Sequence, residues 1–205
     1  MINDNLKKYI KAEILPLYKN NDSGHDIKHI EYVTKRSLEF ASQFENINLD
    51  MVYVISSFHD IGHYIDKDNH EKLSAEFFCK NEKMKSFFNN EQIKIIKEAI
   101  EDHRASLKDT IRSNYGKIIS SADRTTDLDT ILIRTHAYTC KHYPNFNFEQ
   151  TIDRAYSHIQ EKYGSIGYAK TYVQDNEFLK FKKNVNKILD NKNEFKQRYI
   201  EANKL

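Results

Sequence analysis

Apolar residues recur at intervals of three and four along almost the whole chain, and this periodicity constrains the fold more than any other feature. Such spacing marks one face of an α-helix, whereas a half-buried strand alternates at every second residue. The chain also has only 5 glycines and 2 prolines among its 205 residues, too few for the hairpin turns of a β-sandwich or barrel. The sequence therefore predicts an all-α fold.

The apolar stripes predict where the helices lie. We expect helices over about 2–18, 26–44, 49–63, a short stretch around Leu73 and Phe77, 93–103, 118–122, 128–138, 148–163 and 176–199. Pro16 favours an end of the first helix at Leu15, and Asp26 is a candidate N-cap after the loop at 20–24. With no internal repeat or linker, we expect a single-domain helical bundle over residues 1–205.

Charge and cysteine usage exclude several classes of protein. Lys and Arg number 32 against 30 Asp and Glu, a formal net charge of +2, and no polybasic arm asks for a nucleic-acid polymer as partner. No apolar run approaches the roughly 20 residues of a membrane span, and we expect no signal peptide. Cys79 and Cys140 are isolated, which favours a reducing, cytoplasmic setting. The oligomeric state stays open.

Histidines and aspartates stand at the ends of the apolar stripes. His59 and His63 are four residues apart, so the predicted third helix carries both on its inward face, with Asp60 beside them. His103 ends a later stripe, and Asp123 follows another buried-looking segment. A single such histidine is more often a hydrogen-bonded core residue, and a single such aspartate a helix cap. Together, imidazoles and carboxylates indicate a divalent metal site for Mn, Fe, Co, Ni or Zn.

These residues also carry a resemblance to a known family. His29, the pair His59-Asp60 and the distant Asp123 occur in the order H…HD…D, which resembles the HD-domain superfamily of metal-dependent phosphohydrolases. The segments around them are similar to the family's motifs, namely His25-Asp-Ile-Lys-His29, Phe58-His-Asp-Ile-Gly-His63 and Ser121-Ala-Asp-Arg124. A later segment, 158–162, resembles one found in small stand-alone bacterial members. The likeness covers about residues 22–190.

The resemblance implies a ligand set and a catalytic pair. His29, His59, Asp60 and Asp123 would bind one divalent ion, with Mg added to the candidate metals. His70 and His103 match the order of two extra histidines in binuclear members, with Asp60 bridging two ions; His70 could instead be a loop or substrate-binding residue, and His103 a core histidine. Asp60 and His63 are the candidate catalytic residues.

Arg104 and Arg124 each follow a candidate ligand and could clamp phosphate oxygens, or form structural ion pairs instead. His25 is either a loop residue or a partner that orients His29. Two positions depart from the family pattern. Tyr32 stands where an Arg often follows the first histidine, and His63 where relatives often carry Glu or Lys.

The implied function is hydrolysis of a phosphate ester or anhydride in a nucleotide or another small phosphorylated metabolite, with one or two divalent ions per chain. Two alternatives stay open. A di-iron oxygenase occurs in the same superfamily, and the fold could bind a nucleotide without turnover. The sequence contains no motif that identifies the substrate.

Overall fold

The helical periodicity is confirmed in the computed structural model, which describes residues 1–22, 24–107 and 110–205. Within these ranges there is no β-strand. Ser23 of the expected loop lies outside them. The α-helices are α1 (Asp4–Tyr9), α2 (Ile27–Ala41), α3 (Leu49–Phe58), α4 (His70–Lys80), α5 (Asn90–Glu101), α6 (Asn114–Ala122), α7 (Leu128–His142), α8 (Phe148–Tyr163), α9 (Asn176–Leu189) and α10 (Lys192–Asn203).

The first expected helix changes its winding along its length. After α1 the chain continues as a π-helical turn over Ile10–Ile14 and a 3-10 helix over Leu15–Asn20. Pro16 does not end the helical path at Leu15 as expected, because it lies in the first turn of the 3-10 segment, where a missing N–H costs nothing. A second 3-10 helix spans Glu82–Ser86.

The expected end of the third helix and the expected continuity of the last helix are wrong. The third helix was expected to reach His63, but α3 ends at Phe58 and residues 59–65 form successive turns, in which the N–H of His63 donates to the carbonyl of Asp60 at 3.0 Å. The last expected helix, 176–199, is divided between α9 and α10. Asn191 has an extended backbone there, and its side chain accepts from the first N–H groups of α10, so it ends one path and caps the next.

Other local expectations are confirmed. The Asp26 carboxylate caps α2 by accepting from the N–H of His29 at 3.1 Å. Cys79 and Cys140 are both free thiols. Among the residues described, no helix combines the length and the apolar character that crossing a bilayer requires.

The chain divides into two compact units. The first comprises Met1–Asp123 with Thr171–Gln174, and the second comprises Arg124–Lys170 with Asp175–Leu205. In the first, α2, α3, α5 and α6 pack around a core that includes Ile30, Val54 and Ile119. The second has its own core from α7 to α10. The assignment of residues 1–205 to one domain stays a prediction.

Candidate metal centre

All six residues named as candidate metal ligands lie in the first unit and meet near helix ends. One is in the first turn of α2, two follow α3, one opens α4, one follows α5 and one follows α6: His29, His59, Asp60, His70, His103 and Asp123. Helix ends suit this task because side chains there can converge without interrupting a helix. Four of them follow an inward apolar stripe where its helix ends, whereas His29 and His70 lie at the starts of their helices.

Four of the six form the first cluster. Nε2 of His29 lies 3.1 Å from Oδ1 of Asp123 and 3.4 Å from Oδ2 of Asp60. Nε2 of His59 lies 3.3 Å from the same Asp60 oxygen and 3.8 Å from the same Asp123 oxygen. The four ligand atoms all fall within 4.8 Å of one another, a spacing that lets them surround a single cation.

The other two histidines form a second cluster with Asp60. Nε2 of His70 and Nε2 of His103 each lie 3.3 Å from Oδ1 of Asp60, and the two nitrogens are 3.0 Å apart. Asp60 thus turns one carboxylate oxygen toward each cluster. Although burial disfavours its charged form, the surrounding imidazoles of His59, His103 and His29 hold the carboxyl pKa of Asp60 well below its ordinary value.

Backbone carbonyls fix the tautomer of three of these histidines. In each ring Nδ1 faces the carbonyl oxygen of the residue three positions earlier and donates its proton there, so the lone pair of the neutral ring resides on Nε2, the atom that faces the cluster. The three contacts are His59 to Ser56 at 2.9 Å, His70 to Lys67 at 2.8 Å and His103 to Ile100 at 2.6 Å.

The donor atoms of the first cluster fit a divalent cation. Nε2 of His29 and Nε2 of His59 are buried and form no well-aligned hydrogen bond with any described residue. A buried polar nitrogen without a partner destabilises the folded state unless a cation accepts its lone pair. Imidazole with carboxylate suits Mn, Fe, Co, Ni and Zn, the donor set expected from the sequence.

In the metal-free protein the nearby carboxylates favour protonation of some of these histidines. Burial opposes the charged ring, but the carboxylates of Asp123 and Asp60 raise the pKa of His29 to about 10. In the second cluster burial is likewise outweighed at His103, whose pKa Asp60 raises, whereas burial and the neighbouring His103 lower the pKa of His70. These opposite shifts make His103 a better proton donor than His70 across the 3.0 Å between their Nε2 atoms.

His63 and His25 form a stacked pair beside both clusters. Their ring centroids are 3.7 Å apart at an interplanar angle of 24°, and His63 also contacts His70 while His25 contacts His29. Nδ1 of His63 is buried without a hydrogen-bond partner among the described residues. Burial, with the nearby His25, lowers the pKa of His63 to about 4, so the ring is neutral at pH 7.

Asp22 holds the outer member of this stack. Its Oδ1 accepts from Nδ1 of His25 at 2.7 Å and its Oδ2 accepts from Nζ of Lys67 at 2.9 Å, contacts that keep the pKa of Asp22 well below its ordinary value. We assign no ion to Asp22, His25 and His63. An ion about 2.1 Å from a nitrogen of each of two nearly parallel rings would lie far outside at least one ring plane.

The two arginines lie in different units. Nη1 of Arg104 donates to the carbonyl of Asp68 and to Oε2 of Glu71 at 3.2 Å, which ties it to the start of α4. Arg124 belongs to the second unit, is buried, and donates from Nε to the carbonyl of Lys170 at 3.3 Å. Phosphate binding by either one stays a prediction.

The sequence interpretation missed Asn21. Its carboxamide donates to the carbonyls of His25 and Asp60 and accepts from the N–H of Tyr64. The one signal was its position in the polar segment that precedes the His25 motif. Nothing in residue spacing relates that segment to the turn after α3, because the contact joins positions 39 and 43 residues apart.

Comparison with known proteins identifies the family of this chain. The model of the HD domain family matches residues 26–128, just over half of the 205 residues, and the match contains all six candidate ligands. The chain belongs to the HD-domain superfamily. Its all-α architecture is the fold expected of that family.

One solved structure is similar. It is the crystal structure of a predicted HD superfamily hydrolase from an uncultured Thermotogales bacterium, 26% identical, with 77% of this chain and 94% of that chain covered and a TM-score of 0.46. Among curated proteins, no significant match was found.

Proposed function

We propose that this HD-domain chain is a metal-dependent phosphohydrolase that cleaves a phosphate ester or anhydride in a small phosphorylated metabolite such as a nucleotide. The observation that carries the proposal is Asp60, whose two carboxylate oxygens each face a separate group of imidazole nitrogens at 3.3–3.4 Å. A carboxylate in this arrangement can hold two cations side by side. Paired ions at short separation are a recurrent device of phosphoryl-transfer enzymes.

The six ligands divide between two ions. His29, His59 and Asp123 would hold one ion, His70 and His103 the other, and Asp60 both. When bound, divalent ions would neutralise charge on phosphoryl oxygens and make water a nucleophile at neutral pH.

His63 is the proposed proton acceptor. It is a neutral ring at pH 7, it contacts the ligand His70, and its Nδ1 has no partner among described residues. A neutral imidazole can take a proton from an attacking water or return one to the departing oxygen. Stacking on His25 holds the plane of the ring in place.

Further parts of the proposal concern the surroundings of the centre. Arg104 and Arg124 would bind substrate phosphate, and for Arg104 this requires its guanidinium to keep spare donors beyond those used by Glu71 and Asp68. The partner would be a small phosphorylated molecule in the cytoplasm, and residues 1–205 would act as one domain.

The test combines metal analysis with a substrate panel. Protein purified without chelator is analysed for bound metals, then assayed with nucleotides and generic phosphoesters in Mn, Co, Ni and Mg. We expect phosphate or pyrophosphate release by the wild type, none by Asp60→Asn, and full activity in His142→Gln, a matched variant of an exposed histidine in α7. Metal-loaded protein that hydrolyses nothing across the panel would contradict the proposal. Iron-dependent oxygen consumption would instead indicate an oxygenase.

A further inference from the structure

Asn21 joins two segments that are distant in sequence. It lies just before α2, and its carboxamide spans the space to the turn that follows α3. Nδ2 donates to the carbonyl of His25 at 2.9 Å and to the carbonyl of Asp60 at 3.0 Å, while Oδ1 accepts from the N–H of Tyr64 at 3.1 Å. Three of the hydrogen-bonding positions of one amide group are therefore used on backbone atoms.

The turn needs these contacts because α3 has already ended. In residues 59–65 the backbone N–H groups of Ile61, His63 and Ile65 donate to carbonyls three residues back, the pattern of a tight turn rather than of a continuing α-helix. The N–H of Tyr64 donates to Asn21 instead. Side chains from outside therefore help to hold its shape: Ser74 Oγ accepts from the N–H of Gly62 at 3.0 Å in the middle of the turn, and Asn21 binds Asp60 and Tyr64 near its two ends.

Asn21 binds backbone atoms at or next to Asp60 and His63, the two side chains that the proposed chemistry requires. The carbonyl of Asp60 is on the residue that bridges both clusters, and Tyr64 follows His63 directly. On the opposite side Asn21 binds the carbonyl of His25, whose ring stacks on His63. Movement of this amide would change the aim of the Asp60 carboxylate and the overlap of the two rings together.

We propose that Asn21 is a positioning residue that fixes the Asp60 carboxylate between the two clusters and holds His63 against His25. The inference rests on the proposed function for the roles of Asp60 and His63, but its consequences can be measured without substrate. Asn21 is half-buried and is not part of the apolar core of the first unit. Its loss should therefore disturb the metal centre far more than the stability of the helices.

Two variants separate the parts of the contact. Asn21→Ala removes all three hydrogen bonds. Asn21→Asp keeps the shape and the acceptor for Tyr64 but replaces both donors with an oxygen that repels the carbonyls of His25 and Asp60. Asn20→Ala, at the exposed neighbouring position, is the matched control.

The first measurement is titration of metal-free protein with Co²⁺, followed by its visible absorption. Both Asn21 variants should bind Co²⁺ about tenfold or more weakly than the wild type and give an altered spectrum, with helix content by circular dichroism unchanged. The second is the NMR spectrum of the His63 ring in metal-free protein, where loss of stacking should shift the Cε1–H resonance. Asn20→Ala should match the wild type in both.

Several results would overturn the inference. Unchanged Co²⁺ affinity and unchanged His63 resonances in both variants would show that Asn21 positions neither group, and failure of both variants to fold would make it a structural residue. A wild type that binds Co²⁺ but hydrolyses nothing would count against the proposed function alone, because neither measurement uses a substrate.

Discussion

Raising the pH from 6.5 to 8.5 is expected to tighten binding of a divalent ion to the first cluster by about a hundredfold. The reason lies in His29. In the metal-free protein the carboxylates of Asp123 and Asp60 outweigh burial and raise the pKa of this ring to about 10, so a proton occupies the nitrogen that an ion would use. Binding must expel that proton, and acid competes with the metal.

The magnitude follows from the pKa. At pH 7 a group with a pKa of about 10 is unprotonated in about one molecule in a thousand, and each added pH unit raises that fraction tenfold. The logarithm of the apparent affinity should therefore rise with a slope of about one per pH unit. In His29→Gln the slope should fall by about one.

The assay is competition between the protein and a chelator of known affinity for Co²⁺ at five pH values between 6.5 and 8.5. His63→Gln serves as the control, because a ring whose pKa is about 4 carries no proton to expel in this range. Affinities that stay constant with pH in the wild type, or an equal slope in His29→Gln, would refute the reasoning.

The pH dependence of thermal stability is a second measurement that reports on the His29 proton. Because the pKa of His29 is raised on folding, its contribution to stability is fully present below about pH 6.5 and is lost as the pH rises through about 10. The melting temperature of metal-free protein should therefore fall as the pH rises above about 6.5, and the melting temperature of metal-loaded protein should fall less. A stability difference between the two forms that does not grow with pH would contradict this.

Three substitution experiments follow from the same geometry. His59→Ala and Asp60→Ala should each abolish metal binding and hydrolysis with helix content by circular dichroism retained; full metal content in either would mean that the site is elsewhere. His63→Ala should lower turnover by roughly a hundredfold with metal content unchanged, and loss of metal would make His63 a ligand instead. His70→Ala combined with His103→Ala should reduce the metal content from two ions per chain to one by elemental analysis, whereas equal content in wild type and variant would leave the second cluster without an ion.

The sequence was sufficient to predict the fold class because the spacing of apolar residues within each segment identifies it as a helix. Stripes such as Ile93, Ile96 and Ile100 identify α5 from local spacing alone, and α5 does bury that face. His59, His103 and Asp123 could also be read, since each follows such a stripe, whereas His29 and His70 came from the family resemblance. These are properties of one segment at a time.

The features that the sequence did not predict depend on contacts between segments or on small differences in backbone energy. The end of α3 at Phe58 is one case: Gly62 allows α4 to approach so closely that a Cβ there would lie 2.7 Å from Cβ of Leu73 and 2.9 Å from N of Ser74. The division at Asn191 is another, because a capping side chain and a helix-interior asparagine look alike in sequence. Asn21 could not be found at all without the fold.

The contact between His59 Nδ1 and the carbonyl of Ser56, like that between His103 and Ile100, has a consequence for redesign. Both carbonyls belong to the last turn of a helix, where backbone oxygens lack an intrahelical donor. Each ring therefore closes a helix with one nitrogen and offers the other to a cation. An aspartate or cysteine introduced to change metal preference would supply a ligand but no donor, so the exchange would loosen the helix end that aims it. Selectivity in this centre is thus tied to secondary structure, and a glutamine, which carries an N–H of its own, is the more conservative starting point.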